Sequence, residues 1–251
     1  MTVRLSRLAL VLLLPCLLAS CVLTPGKFVS SLKIDADRHF TFTYVGEVIA
    51  LQEDDMTKGL GDLGTPSPTD PASSDEDATP TLQQIALQEK DKSAETPAAK
   101  KAAADAKNRA IAAALSKEAG YRKVDYLGNG KFSIDYSISG TLDHSFVFPY
   151  NLDAEAVFPF IAIEVRANNT VRMKAPGFAN DNGSKGMSMP GMDKGPSQLD
   201  GVFTLDTDAE IVSQNNEEGP ATAAGRKTIS WKVTSLTKDA PSAVLRMAAA
   251  K

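Results

Sequence analysis

The sequence predicts an α+β protein: a mainly antiparallel, strongly curved β-sheet or partial barrel built from hairpins, with one main helix packed on it. Two observations carry that expectation. Apolar and polar residues alternate in pairs of short segments separated by turn residues, which is the period of half-buried strands. A single long Ala-rich stretch, bounded by helix start and stop signals, supplies the one clear helix.

The first pair is 27–35 and 39–51. Phe40, Phe42 and Tyr44 alternate with Thr41, Thr43 and Val45, and Asp35–Arg38 between the two segments is turn-like. A change of composition follows. From Glu53 to Pro80 eight acids face Lys58 alone, four prolines fall in the same stretch, and no aromatic residue occurs. Residues 53–96 are therefore expected to be an acidic, Pro-rich disordered insertion, because such a chain cannot bury enough apolar surface to offset its entropy. Within it, 81–92 has the pattern of a short helix. Thr96 and Pro97 then read as N-cap and first helical position, and Gly120 as the residue just past the end of a helix over 98–119. Ile111 and Leu115 give that helix a narrow apolar stripe.

Beyond Gly120 the pattern is again that of strands. Segments 121–127 and 131–139 flank Gly128-Asn129-Gly130, a hairpin signal. A further strand is expected over 144–150, and 158–166 and 170–175 flank Asn168-Asn169. Segments 200–205 and 210–213 flank 206–209, read as a tight hairpin. Segments 227–234 and 242–246 close the series, with Ile229, Trp231 and Val233 on one face. The Gly/Met/Asn/Ser stretch 179–196 is far longer than a hairpin connection needs.

The amino terminus follows different rules. Arg4 and Arg7 precede an almost unbroken apolar run, Leu8 to Leu18, which is too short for a spanning helix of about 20 residues and is interrupted by Pro15. Leu18-Ala19-Ser20-Cys21 follows, and these four residues resemble the lipobox of bacterial lipoproteins. The resemblance implies a signal peptide over 1–20, cleavage before Cys21, a thioether-linked diacylglycerol on the Cys21 Sγ, and fatty acylation (commonly palmitate) of the new amino group. The mature chain, 21–251, is then a single lipid-anchored domain interrupted by the insertion. By the enterobacterial sorting pattern, Val22 in place of Asp after the cysteine favours the outer membrane over the inner.

Composition narrows the function further. Removing Arg4 and Arg7 takes the net charge from −4 to −6, the opposite of what nucleic-acid phosphates require. Cys16 leaves with the leader, so Cys21 is the mature chain's sole cysteine, which excludes a disulfide, thiol catalysis and Cys-ligated metal. His39 and His144 are the two histidines, too few for the usual zinc or triad patterns. No G-x-S-x-G, P-loop or H-E-x-x-H motif occurs. The expectation is a non-enzyme without a cofactor.

Three groups of residues remain as candidates for binding. Asp206, Asp208 and Glu210 alternate and would share one face, as calcium ligands do, or would serve turn backbone. Met187, Met189 and Met192 cluster in GMSMPGMD (186–193) and are soft donors suited to Cu(I), or a mobile apolar tip for lipid or a partner. Strand-spaced aromatics (Phe40, Phe42, Tyr44, Phe132, Tyr136 and Phe146 among them) either form a plain core or line an apolar cavity.

The blocks KFSIDYSISG (131–140), FVFPY (146–150), GVFTLDTDAEI (201–211), Trp231 and KDAPSAVL (238–245) resemble an uncharacterised family of proteobacterial envelope lipoproteins and, more distantly, the LppM-type lipoproteins of mycobacteria. The likeness covers roughly 21–51 and 107–247, and its motifs are structural. The LppM-type resemblance implies an α+β, barrel-like domain able to hold a lipid. Three functions follow as expectations: a periplasm-facing lipoprotein whose domain binds a lipid, another apolar ligand or an envelope partner; a copper-handling module; and an assembly scaffold.

Overall fold

A computed structural model describes residues 23–50, 96–149, 159–179 and 198–248. They form twelve strands, one α-helix and one 3-10 turn. The strands make two open sheets instead of the single curved sheet expected. A seven-stranded sheet runs β10-β11-β8-β1-β2-β4-β3, and a five-stranded sheet runs β5-β6-β7-β12-β9. Their ranges are β1 Leu23–Ile34, β2 His39–Ala50, β3 Tyr121–Gly128, β4 Lys131–Thr141, β5 Phe146–Phe148, β6 Ile161–Arg166, β7 Thr170–Lys174, β8 Asp200–Thr207, β9 Glu210–Gln214, β10 Ala221–Ala223, β11 Arg226–Thr234 and β12 Ser242–Arg246.

Most local readings hold. The hairpins β1–β2, β3–β4 and β6–β7 pair antiparallel where the alternation places them. Positive φ at Arg38, at Gly128-Asn129-Gly130 and at Asn168-Asn169 turns the chain at the three connections. β1 starts at Leu23, four residues before the expected position. The helix α1 covers Pro97–Leu115; Thr96 Oγ1 caps it by accepting from Ala99 N at 3.3 Å, and it ends with Ser116 as its C-cap, four residues before Gly120. The expected helix over 81–92 lies outside the described residues.

Two readings are corrected. Residues 206–209 are not a hairpin turn, since β8 pairs with β1 and β11 while β9 pairs with β12 in the other sheet. β8 also lies parallel to β1, so the larger sheet is mixed. Repeated hairpin signals describe nearest neighbours in sequence, and a crossing between sheets looks the same locally as a turn within one. β10, three residues with no alternation, escaped the sequence reading altogether.

The inner faces of the two sheets meet through aromatic rings. Phe148 of β5 touches Phe42, Tyr44 and Tyr136 of the larger sheet, with centroids 4.5–5.4 Å apart. Phe178, on the 3-10 turn Pro176–Phe178, stacks on Phe28 at 4.3 Å and reaches Phe203 at 5.5 Å. Trp231 stacks on Phe203 at 5.6 Å, extending the row to β11. Burial drives the Tyr44 phenol far above its ordinary range and pushes Tyr121 up to about 12, with Tyr136 and Glu118 adding to the latter. The rings of the described interior touch one another, as the plain-core reading of these residues expects.

Helix α1 closes the core at the β3 edge. Asn108 and Ala112 are buried, with Ile111 and Leu115 packed beside them. The Tyr126 hydroxyl joins helix to hairpin: it donates to Asp105 Oδ1 at 2.5 Å and accepts from Gly130 N at 3.1 Å and Asn108 Nδ2 at 3.3 Å. The Tyr126 hydroxyl, and next Lys101, hold the Asp105 carboxyl below the usual carboxylate range. A depressed folded-state pKa stabilises above the unfolded value, about 3.9, and the gain disappears as pH falls through the folded value. Between about pH 5 and pH 2 the urea midpoint should therefore fall further for the natural protein than for Tyr126→Phe; equal falls would show that this contact does not couple to folding.

Glycine decides one further feature. Gly46, Phe28 and Gly201 sit side by side on β2, β1 and β8, next to a register shift between Pro25 and Phe28. A Cβ on Gly46 would lie 2.4 Å from the Lys27 carbonyl oxygen, and one on Gly201 2.5 Å from the Phe28 carbonyl oxygen. Both contacts are with backbone, so neither relaxes by a side-chain rotation. Gly46→Ala should lose about 1–3 kcal/mol or more in urea unfolding; an unchanged midpoint would mean that the strands separate freely here.

Candidate functional site

The outward face of the seven-stranded sheet has an unusual composition. Ser137, Thr43, Ser31, Thr204 and Ser230 lie in register across β4-β2-β1-β8-β11, a continuous row of hydroxyls. Ser31 and Thr43 hydrogen-bond at 2.7 Å, Thr204 and Ser230 at 3.1 Å, and in the next row Thr41 and Ser139 at 2.8 Å. These β-branched and small side chains saturate one another sideways, which keeps the face even and free of long charged groups at its centre.

The neighbouring row is apolar. Val45, Val29 and Val202 oppose one another on β2, β1 and β8, and are 50%, 64% and 40% exposed. Asp135 and Lys232 end the row on β4 and β11. Lys27, Asp200 and Lys232 border a shallow depression around Val29, Val45 and Val202. A single exposed valine is ordinary, whereas three in register make a strip that a flat partner surface can cover without leaving buried polar groups unpaired. Sequence alternation placed Val45 opposite the aromatic face, but only the β1–β2 and β1–β8 pairings join Val29 and Val202 to it.

The three acids read as a calcium set are divided between the sheets, Asp206 in β8, Glu210 at the start of β9 and Asp208 between them, and arginines pair with them. Arg226 contacts Asp206 through Nε at 2.5 Å, Asp35 at 2.8 Å and Asp208 at 3.9 Å, and Arg246 meets Glu210 at 3.0 Å. Asp208 Oδ1 also accepts from Ala36 N at 2.6 Å. Asp35, Asp206 and Asp208 tie the β1–β2 turn to β8 and β11, while Glu210 joins β9 to β12. His39 pairs with Asp37 and His144 with Asp143, each exposed. Among the described residues, no group of three or more His, Cys, Asp or Glu is arranged to hold a metal ion, and no helix is long and apolar enough to cross a membrane. Cys21, the methionines Met187, Met189 and Met192, and the 53–95 stretch lie outside the described residues.

No protein-family model matches the chain, and no curated protein matches it. Among solved structures, the NMR structure of the Mycobacterium tuberculosis LppM folded domain aligns over 89% of this chain and 91% of its own, with 14% identity and a TM-score of 0.34. A superposition at that level is too loose to carry fold or function from one chain to the other.

Proposed function

We propose that the chain is a non-enzymatic, lipid-anchored envelope protein, acylated on Cys21 at the outer membrane, that presents the outward face of its larger sheet to an envelope partner. The supporting observation is the continuity between motif and fold: the lipobox-like Leu18-Ala19-Ser20-Cys21 ends two residues before β1 begins at Leu23. Nothing between anchor and sheet is long enough to act as a tether, so the domain is held at the bilayer. A lipid or other apolar ligand has less support as the occupant, because the rings that would line its cavity touch one another. The Val45-Val29-Val202 strip is the better contact surface.

The test is a photo-cross-linking residue placed singly at Val29, at Val45 and at Val212, which is exposed on the other sheet. In intact cells the first two positions should give one discrete adduct, absent at Val212. No adduct at Val29 and Val45, or the same pattern from all three, would sink the proposed face.

A further inference from the structure

The two ends of the seven-stranded sheet differ, and the difference gives the molecule a posture. One end holds the start of β1. Leu23 opposes Ala50, Ile49 opposes Lys131, and Lys131 opposes Gly128, so the Gly128–Gly130 turn lies at that end. On the other side of β1, Lys27 opposes Asp200 and Asp200 opposes Thr234, so the turn after β11 lies there too. An exposed leucine accompanies each turn: Leu127, in β3 just before the first, at 55%, and Leu236, after β11, at 84%. Both turns are hydrogen-bonded. Gly130 N donates to the Tyr126 hydroxyl at 3.1 Å, while Thr237 N donates to Thr234 O at 3.0 Å and Thr237 Oγ1 accepts from Thr234 N at 2.9 Å.

The opposite end carries polar groups that bond to one another. Arg226 binds Asp35 and Asp206, Arg38 donates to Asn169 at 2.9 Å, and Ala248 N donates to Ala36 O at 2.9 Å. None of the exposed large apolar side chains of the described residues lies in those turns.

We infer that the domain stands upright on its own membrane, with Leu127 and Leu236 inserted into the bilayer surface on either side of the lipidated Cys21. The inference rests on the anchor reading above and adds its geometry. Val22 alone separates Cys21 from Leu23, two chain steps with a reach of at most about 7 Å, so this end of the sheet cannot leave the lipid headgroups. In the strand order β11-β8-β1-β2-β4-β3, the two leucines are five strand spacings apart, about 24 Å along the sheet, with β1 between them. An acyl anchor with one apolar side chain to each side makes a line of three contacts across the sheet, which fixes the distance and the tilt within the sheet plane. The twelve residues of β1 lift the polar end roughly 35 Å from the surface, which leaves the valine strip and hydroxyl row facing sideways and accessible.

The sequence supplies a clean way to measure this. Cys21 is the mature chain's sole cysteine and is blocked by lipid, so an introduced cysteine takes a fluorophore selectively. Full-length protein with Leu127→Cys, Leu236→Cys, Val29→Cys or Asp37→Cys would be produced with its leader, labelled, and reconstituted in phosphatidylethanolamine/phosphatidylglycerol vesicles containing a nitroxide lipid. Quenching at 127 and 236 should exceed that at 29 and 37 severalfold. Strong quenching at 29 would mean that the domain lies on its sheet face, and uniformly weak quenching would mean that chain or solvent covers the leucines; either overturns the posture while leaving the anchor intact. Mass spectrometry of the same samples separates the cases, because absence of acyl mass on Cys21 overturns the anchor and the posture together.

Discussion

Cys21→Ser is expected to release the protein from the membrane fraction completely and to abolish incorporation of labelled palmitate. The lipobox chemistry requires a thiol nucleophile, and a serine hydroxyl at the same place remains protonated and unreactive toward the lipid donor. Each buried methylene of an acyl chain contributes about 0.8 kcal/mol, so losing two or three chains removes an attachment far stronger than any contact the folded domain makes. Leu127 and Leu236 together bury too little apolar surface to replace it, so the variant, with its leader cleaved by another route, should appear in the periplasmic or secreted fraction. Palmitate in the Cys21→Ser protein, or a natural protein already found in the soluble fraction, would refute the anchor.

The second large effect belongs to the core. Phe148 is 2% exposed and touches Phe42, Tyr44, Tyr136 and Phe160, with centroids 4.5–6.0 Å away. Truncation to alanine removes the ring by which the edge strand β5 packs against the larger sheet, and neighbouring rings held on different strands cannot all collapse into the space. Phe148→Ala should lose about 3–5 kcal/mol, read as a shift of the urea midpoint in the fluorescence of Trp231, the chain's sole tryptophan. A loss below about 1 kcal/mol would be the signature of a loosely filled interior, and would restore the reading of this domain as an apolar-ligand container.

How far the sequence was legible depends on the range of the interaction. β2 was readable because Phe40, Phe42 and Tyr44 alternate with threonines over six residues, and the β3–β4 turn because Gly128-Asn129-Gly130 admits positive φ. Thr96 and Pro97 announced the helix start through local capping, whereas Gly120 misplaced its end. The helix ends at Leu115, and the chain uses Gly120, at φ 90°, to enter β3 against the Tyr136 ring. Asp206, Asp208 and Glu210 alternate as expected, but nothing near them in sequence announces Arg226, twenty residues on, or Asp35, which lies at the far end of β1.

By itself, then, the sequence determined most strand positions and the capped start of the helix, which depend on residues within a few positions of one another. Tertiary structure decided which strands share a sheet, that β8 runs parallel beside β1, and that the aromatic stripes touch one another in the interior. It also placed Leu127 and Leu236 at the end where the chain leaves for Cys21. The physical reason is common to all four: pairing, packing and the ends of a sheet are set by residues far apart in the chain, whose proximity no local period or turn signal encodes.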